Sequence, residues 1–233
     1  MKNVLITGAS KGIGKSIAQK LSKHNLFLTA RNEQALKQLC PKDYFICDLA
    51  GDINPLINFV KENKIDVLIN NAGEYIYKEV ENLSAEDINR LTRINLEVPM
   101  ILASACTEHM KNQNWGRIIN IGSISGVMGE AYASIYSATK AGLIGFTKAA
   151  GLELAEHGIT VNTINPGWVK TDLGINSIEE SEFSIEDTLQ MIPQRRFVKP
   201  EEVACLVDYL ITDGAKGITG QSINLCAGLS IGI

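Results

Sequence analysis

Tyr136 and Lys140 lie four residues apart, so a helix would carry them on one face. A free tyrosine titrates near ~10 and is a poor proton donor or acceptor at neutral pH. An adjacent ammonium favours the phenolate and lowers that value, which suits general acid–base work. The same spacing also fits an ordinary half-buried helix pair. Ser123 follows the apolar run Arg117–Ile121. A hydroxyl there can donate to a carbonyl oxygen, or it can cap the turn Gly122-Ser-Ile-Ser-Gly126. Asn95 falls within the helix-period segment 84–111, where asparagine is mildly unfavourable. It serves either a local backbone bond or a water held near the site. Together these side chains offer proton transfer at a carbonyl or hydroxyl oxygen.

A second group of residues offers anion binding. Thr7-Gly-Ala-Ser-Lys-Gly-Ile-Gly14 follows the apolar run Asn3–Ile6 and opens a helical pattern. Glycine permits positive φ and removes the Cβ that would block a phosphate. A helix N-terminus adds free N–H groups and a positive dipole end. The spacing is G-x-x-x-G-x-G, which differs from the dinucleotide fingerprint G-x-G-x-x-G.

The elements that must position these residues alternate along the chain. Strand candidates are Val4–Thr7, Leu26–Ala30, Tyr44–Cys47, Val67–Asn70, Arg117–Ile121, Thr160–Ile164 and Ser222–Leu225. They are nearly all apolar, as strands covered on both faces should be. Helical segments are predicted over 13–24, 33–39, 53–62, 84–111, 134–157 and 200–212. This βαβ series predicts one α/β domain over 1–233, a doubly wound Rossmann-type fold with a seven-stranded, mostly parallel sheet. The helix 134–157 is small or apolar around much of its circumference and needs cover on two sides. The segment 172–198, with the acidic run Ile178–Asp187, reads as a lid over the carboxyl edge of the sheet or as a solvated connection.

Bulk composition narrows the class. Over 233 residues, 22 basic and 26 acidic side chains leave a net charge of −4, which argues against a nucleic-acid binder. The cysteines Cys40, Cys47, Cys106, Cys205 and Cys226 are odd in number and form no C-x-x-C pair. They read as reduced, mostly buried thiols of a cytoplasmic protein, and no metal site is expected. Residues 1–20 lack a signal-peptide pattern, and no window reaches the roughly 18 apolar residues of a membrane span.

Taken together, these motifs resemble the short-chain dehydrogenase/reductase family over essentially the whole chain. Gly8, Ser10, Lys11, Gly12, Ile13 and Gly14 match its cofactor turn, and Asn70-Asn71-Ala72-Gly73 matches its N-N-A-G element. Asn95, Ser123, Tyr136 and Lys140 match its catalytic tetrad in order and spacing. Pro166, Gly167, Val169 and Thr171 match the segment bordering the nicotinamide, and Asp48-Leu49 matches the pair bordering the adenine. The resemblance implies that Tyr136 is the acid in reduction and the base in oxidation. It implies that Lys140 lowers the tyrosine pKa and holds the nicotinamide ribose, that Ser123 polarises the substrate carbonyl, and that Asn95 anchors a water.

At the end of the second strand, Ala30 stands where an acid selecting NAD would be expected, and Arg31 follows it. Arg31 and Lys11 suit a phosphate dianion, so the expected cofactor is NADP(H). Gly116–Ser123, Lys140–Thr147 and Lys199–Ala204 resemble bacterial 3-oxoacyl-(acyl-carrier-protein) reductases. The arginines that meet the carrier in that group fall at Asn114 and His157 here, so docking of a carrier protein is doubtful. The resemblance also implies a homotetramer built partly on the long helices.

Overall fold

The structure, a computed structural model, describes residues 1–39, 41–179 and 184–231. Seven strands form one parallel sheet in the order β3-β2-β1-β4-β5-β6-β7. They are β1 (Asn3–Thr7), β2 (Asn25–Ala30), β3 (Asp43–Ile46), β4 (Val67–Asn70), β5 (Gly116–Ile121), β6 (Ile159–Pro166) and β7 (Ser222–Leu225). Every residue of β4, β5 and β6 is buried, the polar Asn70, Asn120, Asn162 and Thr163 included, as strands covered on both faces should be. The helices are α1 (Gly12–Lys20), α2 (Glu33–Lys37), α3 (Asn54–Glu62), α4 (Ala85–Thr92), α5 (Val98–Gln113), α6 (Ser125–Met128), α7 (Ser134–Leu154), α8 (Asp172–Glu179), α9 (Ile185–Met191) and α10 (Pro200–Leu210).

Two apolar clusters cover the two sheet faces. One gathers Ile17, Leu21, Val203 and Val207 of α1 and α10 with Val4, Ile6 and Ile119. The other gathers Leu56, Val60, Val98 and Leu102 of α3 and α5 with Leu5, Leu68 and Ile118. Strand order reverses between β1 and β4, and a crevice opens at the carboxyl ends of these strands. The turn after β1 and the segment after β4 therefore face each other across the place where a ligand would enter.

A buried polar chain sets α7 on the sheet. Asn70 Nδ2 donates to Asn120 Oδ1 (2.9 Å), Asn120 Nδ2 donates to Thr147 Oγ1 (2.9 Å), and Thr147 shares a 2.6 Å bond with Thr163. These bonds stay out of water, so sliding α7 by one residue would leave several buried groups unpaired. The register of α7 is thereby set, and with it the heights of Tyr136 and Lys140.

The structure divides the expected helix 84–111. A single π-helical turn, Arg93–Glu97, separates α4 from α5, and Asn95 sits inside it. Such turns recur at functional sites because they re-aim one side chain without ending the helix. The short helix α6, between β5 and α7, carries no periodic signal long enough to predict. Within 172–198 the chain forms two helices, α8 and α9, and then runs non-helical to Val198, which bridges Val169. Residues 180–183 of the acidic run, and Cys40, lie outside the described residues. No helix among the described residues is long and apolar enough to cross a membrane.

Candidate active site

The end of the site at the glycine turn is made of backbone. Gly8 (φ +65°) and Gly12 (φ +53°) hold left-handed conformations that a side chain would strain. A Cβ on Gly14 would strike the Gly8 carbonyl oxygen and come within 2.5 Å of Asn71 Nδ2. The Asn71 amide donates to the carbonyls of Thr7 (2.9 Å) and Gly8 (3.2 Å). Thr7 Oγ1 accepts from the N–H groups of Asn71 and Ala72, both at 3.0 Å. The turn is thus tied to the end of β4 on both sides. The N-cap of α1, Lys11, makes no side-chain capping bond, and the first turn holds no acid. Its orphan N–H groups fit a phosphate.

Beyond the end of β2, Arg31 is 67% exposed, with Glu74 at 3.7 Å, and Lys11 has Asp172 at 3.9 Å. Both pairs are long and solvated, so either cation is free to turn to an incoming phosphate. Glu74 itself is gripped at 2.7 Å by two nitrogens of Arg90. The glycine cradle, the uncapped helix, and Ala30 in place of an acid at the end of β2 fit a phosphorylated dinucleotide.

The other end is made of side chains. Ser123 sits just beyond β5, on a loop pinned by Gly122 N–H to the Ile164 carbonyl (2.7 Å) and Ile124 N–H to the Pro166 carbonyl (2.9 Å). Its hydroxyl donates to Ser125 Oγ at 3.0 Å, and Tyr136 stands near it in the first turn of α7. Lys140, one turn on, is buried and donates to the Ile121 carbonyl at 2.8 Å. Burial brings Lys140 down to about 8.

The expectation that Lys140 lowers the Tyr136 pKa is not met. Tyr136 is pushed up to about 12, first by burial of its hydroxyl and then by the Glu130 carboxylate, against the opposing bond from Ser123. Lys140 Nζ lies 5.5 Å from the tyrosine ring centroid and is engaged elsewhere. Desolvation of a phenolate outweighs an ammonium at that distance.

Asn95 is wholly buried. Its Oδ1 accepts from Glu74 N–H (2.9 Å), and its Nδ2 donates to the Glu74 carbonyl (2.9 Å) and Thr139 Oγ1 (3.3 Å). The partner is backbone, as one reading allowed, but backbone 21 residues away rather than local. A Cβ on Gly73 would lie 3.3 Å from Asn95 Oδ1 and 3.5 Å from Lys140 Nζ, so Gly73 lets the three segments of this corner close together.

One cleft of about 660 Å³ joins both ends, within the size range of cofactor sites. Of the residues picked out in the sequence, Gly8, Ser10, Lys11, Gly12, Ile13, Arg31, Asp48 and Leu49 line it. So do Asn71, Ala72, Gly73, Ser123, Tyr136, Lys140, Pro166, Gly167, Val169 and Thr171. Two do not. Gly14 packs behind the turn, and Asn95 lies beneath Gly73.

The chain matches the model of the family described as short chain dehydrogenase over residues 2–182. It is 39% identical over 236 residues to the 3-oxoacyl-[acyl-carrier-protein] reductase FabG of Rickettsia conorii, covering 98% of this chain and 96% of that one. The chain belongs to the short-chain dehydrogenase family. Among solved structures, an actinorhodin polyketide ketoreductase variant solved with NADPH superposes with a TM-score of 0.90 at 34% identity, covering 99% and 97% of the two chains. The NADPH-dependent reductase YwfH, involved in bacilysin biosynthesis, gives 0.93 at 27% identity, covering 100% and 99%.

As in any short-chain dehydrogenase, an oxidoreductase, the substrate wall is the part that sequence reads least well. Glu130, Tyr75, Trp168, Met128 and Met191 line the cleft and carry no motif. Tyr75 stands edge-on to Tyr136 at 5.0 Å and donates to Glu130 at 2.8 Å. Their only advance signal was position, after the fourth strand and just before the Tyr136 helix.

Proposed function

We infer that this enzyme reduces a ketone to a secondary alcohol with NADPH, and that the ketone is a 3-oxoacyl thioester. The observation that carries the reading is the meeting of Ser123, Tyr136 and Lys140 at the carboxyl edge of β5, in one cleft with the uncapped end of α1. Gly8, Ser10, Lys11, Gly12 and Ile13 would hold the pyrophosphate, Arg31 and Lys11 the extra phosphate, and Asp48 and Leu49 the adenine. Lys140 and the Pro166–Thr171 segment would hold the nicotinamide riboside. When bound, NADPH supplies a hydride to the carbonyl carbon. Ser123 orients the carbonyl oxygen, and Tyr136, kept protonated by burial, donates its proton there. The related reductases named above support both the cofactor and the acyl substrate.

Exposed apolar side chains flank the mouth: Met128 on α6, Leu173 on α8 and Met191 on α9. They support an acyl chain as cargo and the 172–198 segment as its lid. Glu130 in the wall favours a second reading, a smaller polar ketone. Coenzyme A or a short thiol suffices as carrier, because neither Asn114 nor His157 provides an arginine. Initial rates of NADPH consumption test the reading, with acetoacetyl thioesters compared against sugar and polyol ketones. Absence of turnover on every thioester overturns the substrate assignment.

The enzyme works in the cytoplasm as a homotetramer. Cys47, Cys106, Cys205 and Cys226 are free thiols, which suits a reducing compartment. The outer face of α7 exposes Ala141, Gly145, Ala149 and Leu152, the last 83% exposed. A second copy would cover this stripe. Light scattering at micromolar concentration should give a mass near four times 25.4 kDa, and a stable monomer would contradict the assembly.

A further inference from the structure

One carboxylate stands in the substrate wall without a cation. Tyr75 Oη donates to Glu130 Oε1 at 2.8 Å, and Ser125 Oγ donates to Glu130 Oε2 at 2.6 Å. Both partners are neutral hydroxyls, and no ion pair reaches Glu130 among the described residues. Glu130 is half-buried and lines the cleft. The backbone holds it there. Glu130 N–H donates to Ser137 Oγ at 3.1 Å, and the Glu130 carbonyl accepts from Ala133 N–H at 3.2 Å. Two residues on, the Tyr132 carbonyl accepts from Lys78 N–H at 2.6 Å. Tyr75, which carries one of the carboxylate's bonds, stands edge-on to Tyr136 at 5.0 Å. The charge is therefore fixed one aromatic ring away from Tyr136.

The donors of this wall are already committed. A carboxylate only accepts, so the hydroxyl protons of Tyr75 and Ser125 both point at Glu130. The cations that line the cleft, among the described residues, are engaged elsewhere. Lys11 pairs with Asp172, Arg31 with Glu74, and Lys140 donates to the Ile121 carbonyl. An anionic group placed beside the ketone would meet a fixed like charge and hydroxyls whose protons are in use. A neutral group would meet no such opposition, and a cationic one would gain a partner.

We propose that Glu130 selects substrates by the charge next to the ketone, admitting the thioester of a 3-oxo acid and excluding the free acid. This rests on the proposed reductase reading. The two compounds are identical at the ketone. They differ one methylene away, where one carries a neutral thioester and the other a carboxylate. Shape separates them poorly, because the acid is the smaller and fits wherever the thioester fits. A fixed like charge is the repulsive element that shape cannot supply.

Three methyl ketones test this on the full-length enzyme. Acetoacetate, methyl neopentyl ketone and acetonyltrimethylammonium place a negative, a neutral and a positive group at the same position. Steady-state kcat/KM with NADPH is measured for each, alongside the acetoacetyl thioester of N-acetylcysteamine. Dissociation constants are measured by calorimetry in the presence of NADP+, which cannot reduce them. The wild type should favour the ammonium ketone over acetoacetate in both readouts. Glu130→Gln should shrink that ratio by about 10-fold or more, through KM rather than kcat. Glu130→Ala should shrink it by a second route, and Glu130→Asp, which retains the charge, should keep most of it. A fall shared equally by all three ketones marks a structural role and overturns the selection. A ratio that neither Glu130→Gln nor Glu130→Ala moves also overturns it. Binding ordered by charge, with no turnover of any ketone or of the thioester, upholds the selection and overturns the reductase reading instead.

Discussion

The two ends of the cleft are built from different materials. The end at the glycine turn is a backbone structure: left-handed glycines, an uncapped helix and the Asn71 clamp. Its chemistry depends on atoms that every residue has, so only missing side chains matter. The other end is a side-chain structure, in which Ser123, Ser125, Glu130 and Tyr75 hydrogen-bond to one another and Tyr136 packs edge-on against Tyr75. A backbone cradle tolerates change wherever no Cβ intrudes. A side-chain network tolerates almost none, because each member satisfies another.

That contrast can be broken at several points. Tyr136→Phe removes one hydroxyl from the side-chain end and should lower turnover by at least ~10²-fold while NADPH binding, measured by fluorescence titration, changes little. A near-wild-type rate would mean that Tyr136 is not the proton donor. Gly14→Ala adds one methyl behind the cradle, where backbone cannot yield, and should weaken NADPH binding by more than ~10-fold. It should also lower stability by roughly 1–3 kcal/mol in denaturant melts. Unchanged affinity would show that the cradle is soft.

Arg31→Asp tests the corner where the cradle does use a side chain. NADPH should be preferred to NADH by at least ~10-fold in the wild type, about 1.4 kcal/mol, and the substitution should abolish or reverse that preference. Equal dissociation constants in the wild type would remove Arg31 from the recognition.

The smallest effect concerns stability alone. Lys140 binds its proton less readily in the folded chain, at about 8, than in the unfolded one. Below about pH 8 the buried charge therefore destabilises the fold, and the penalty fades as pH rises toward ~10.4, where both states are neutral. Lys140→Met should raise the unfolding free energy of the cofactor-free enzyme at pH 7 by about 1–3 kcal/mol in denaturant melts, with the gain shrinking across that window. A gain that does not vary with pH would point to packing rather than charge.

Spacing along the chain was enough for much of this. Seven apolar runs with turn signals between them become seven parallel strands, because a strand covered on both faces has no polar alternation to confuse it. The glycine turn was legible for the same local reason, since φ and Cβ clearance are properties of single residues. Tyr136 and Lys140 were legible because their shared helix face follows from a separation of four.

Contacts between distant segments account for what remained hidden. Nothing near Asn95 announces a π turn, which forms where Asn95 reaches the Glu74 backbone. The Tyr136 pKa moves opposite to the local expectation because burial, a property of the whole packing, outweighs a neighbouring charge. Glu130 and Tyr75 become partners across 55 residues. Periodicity and turn chemistry are short-range and survive in a linear text. Desolvation and hydrogen bonds between segments exist only once the chain has closed on itself.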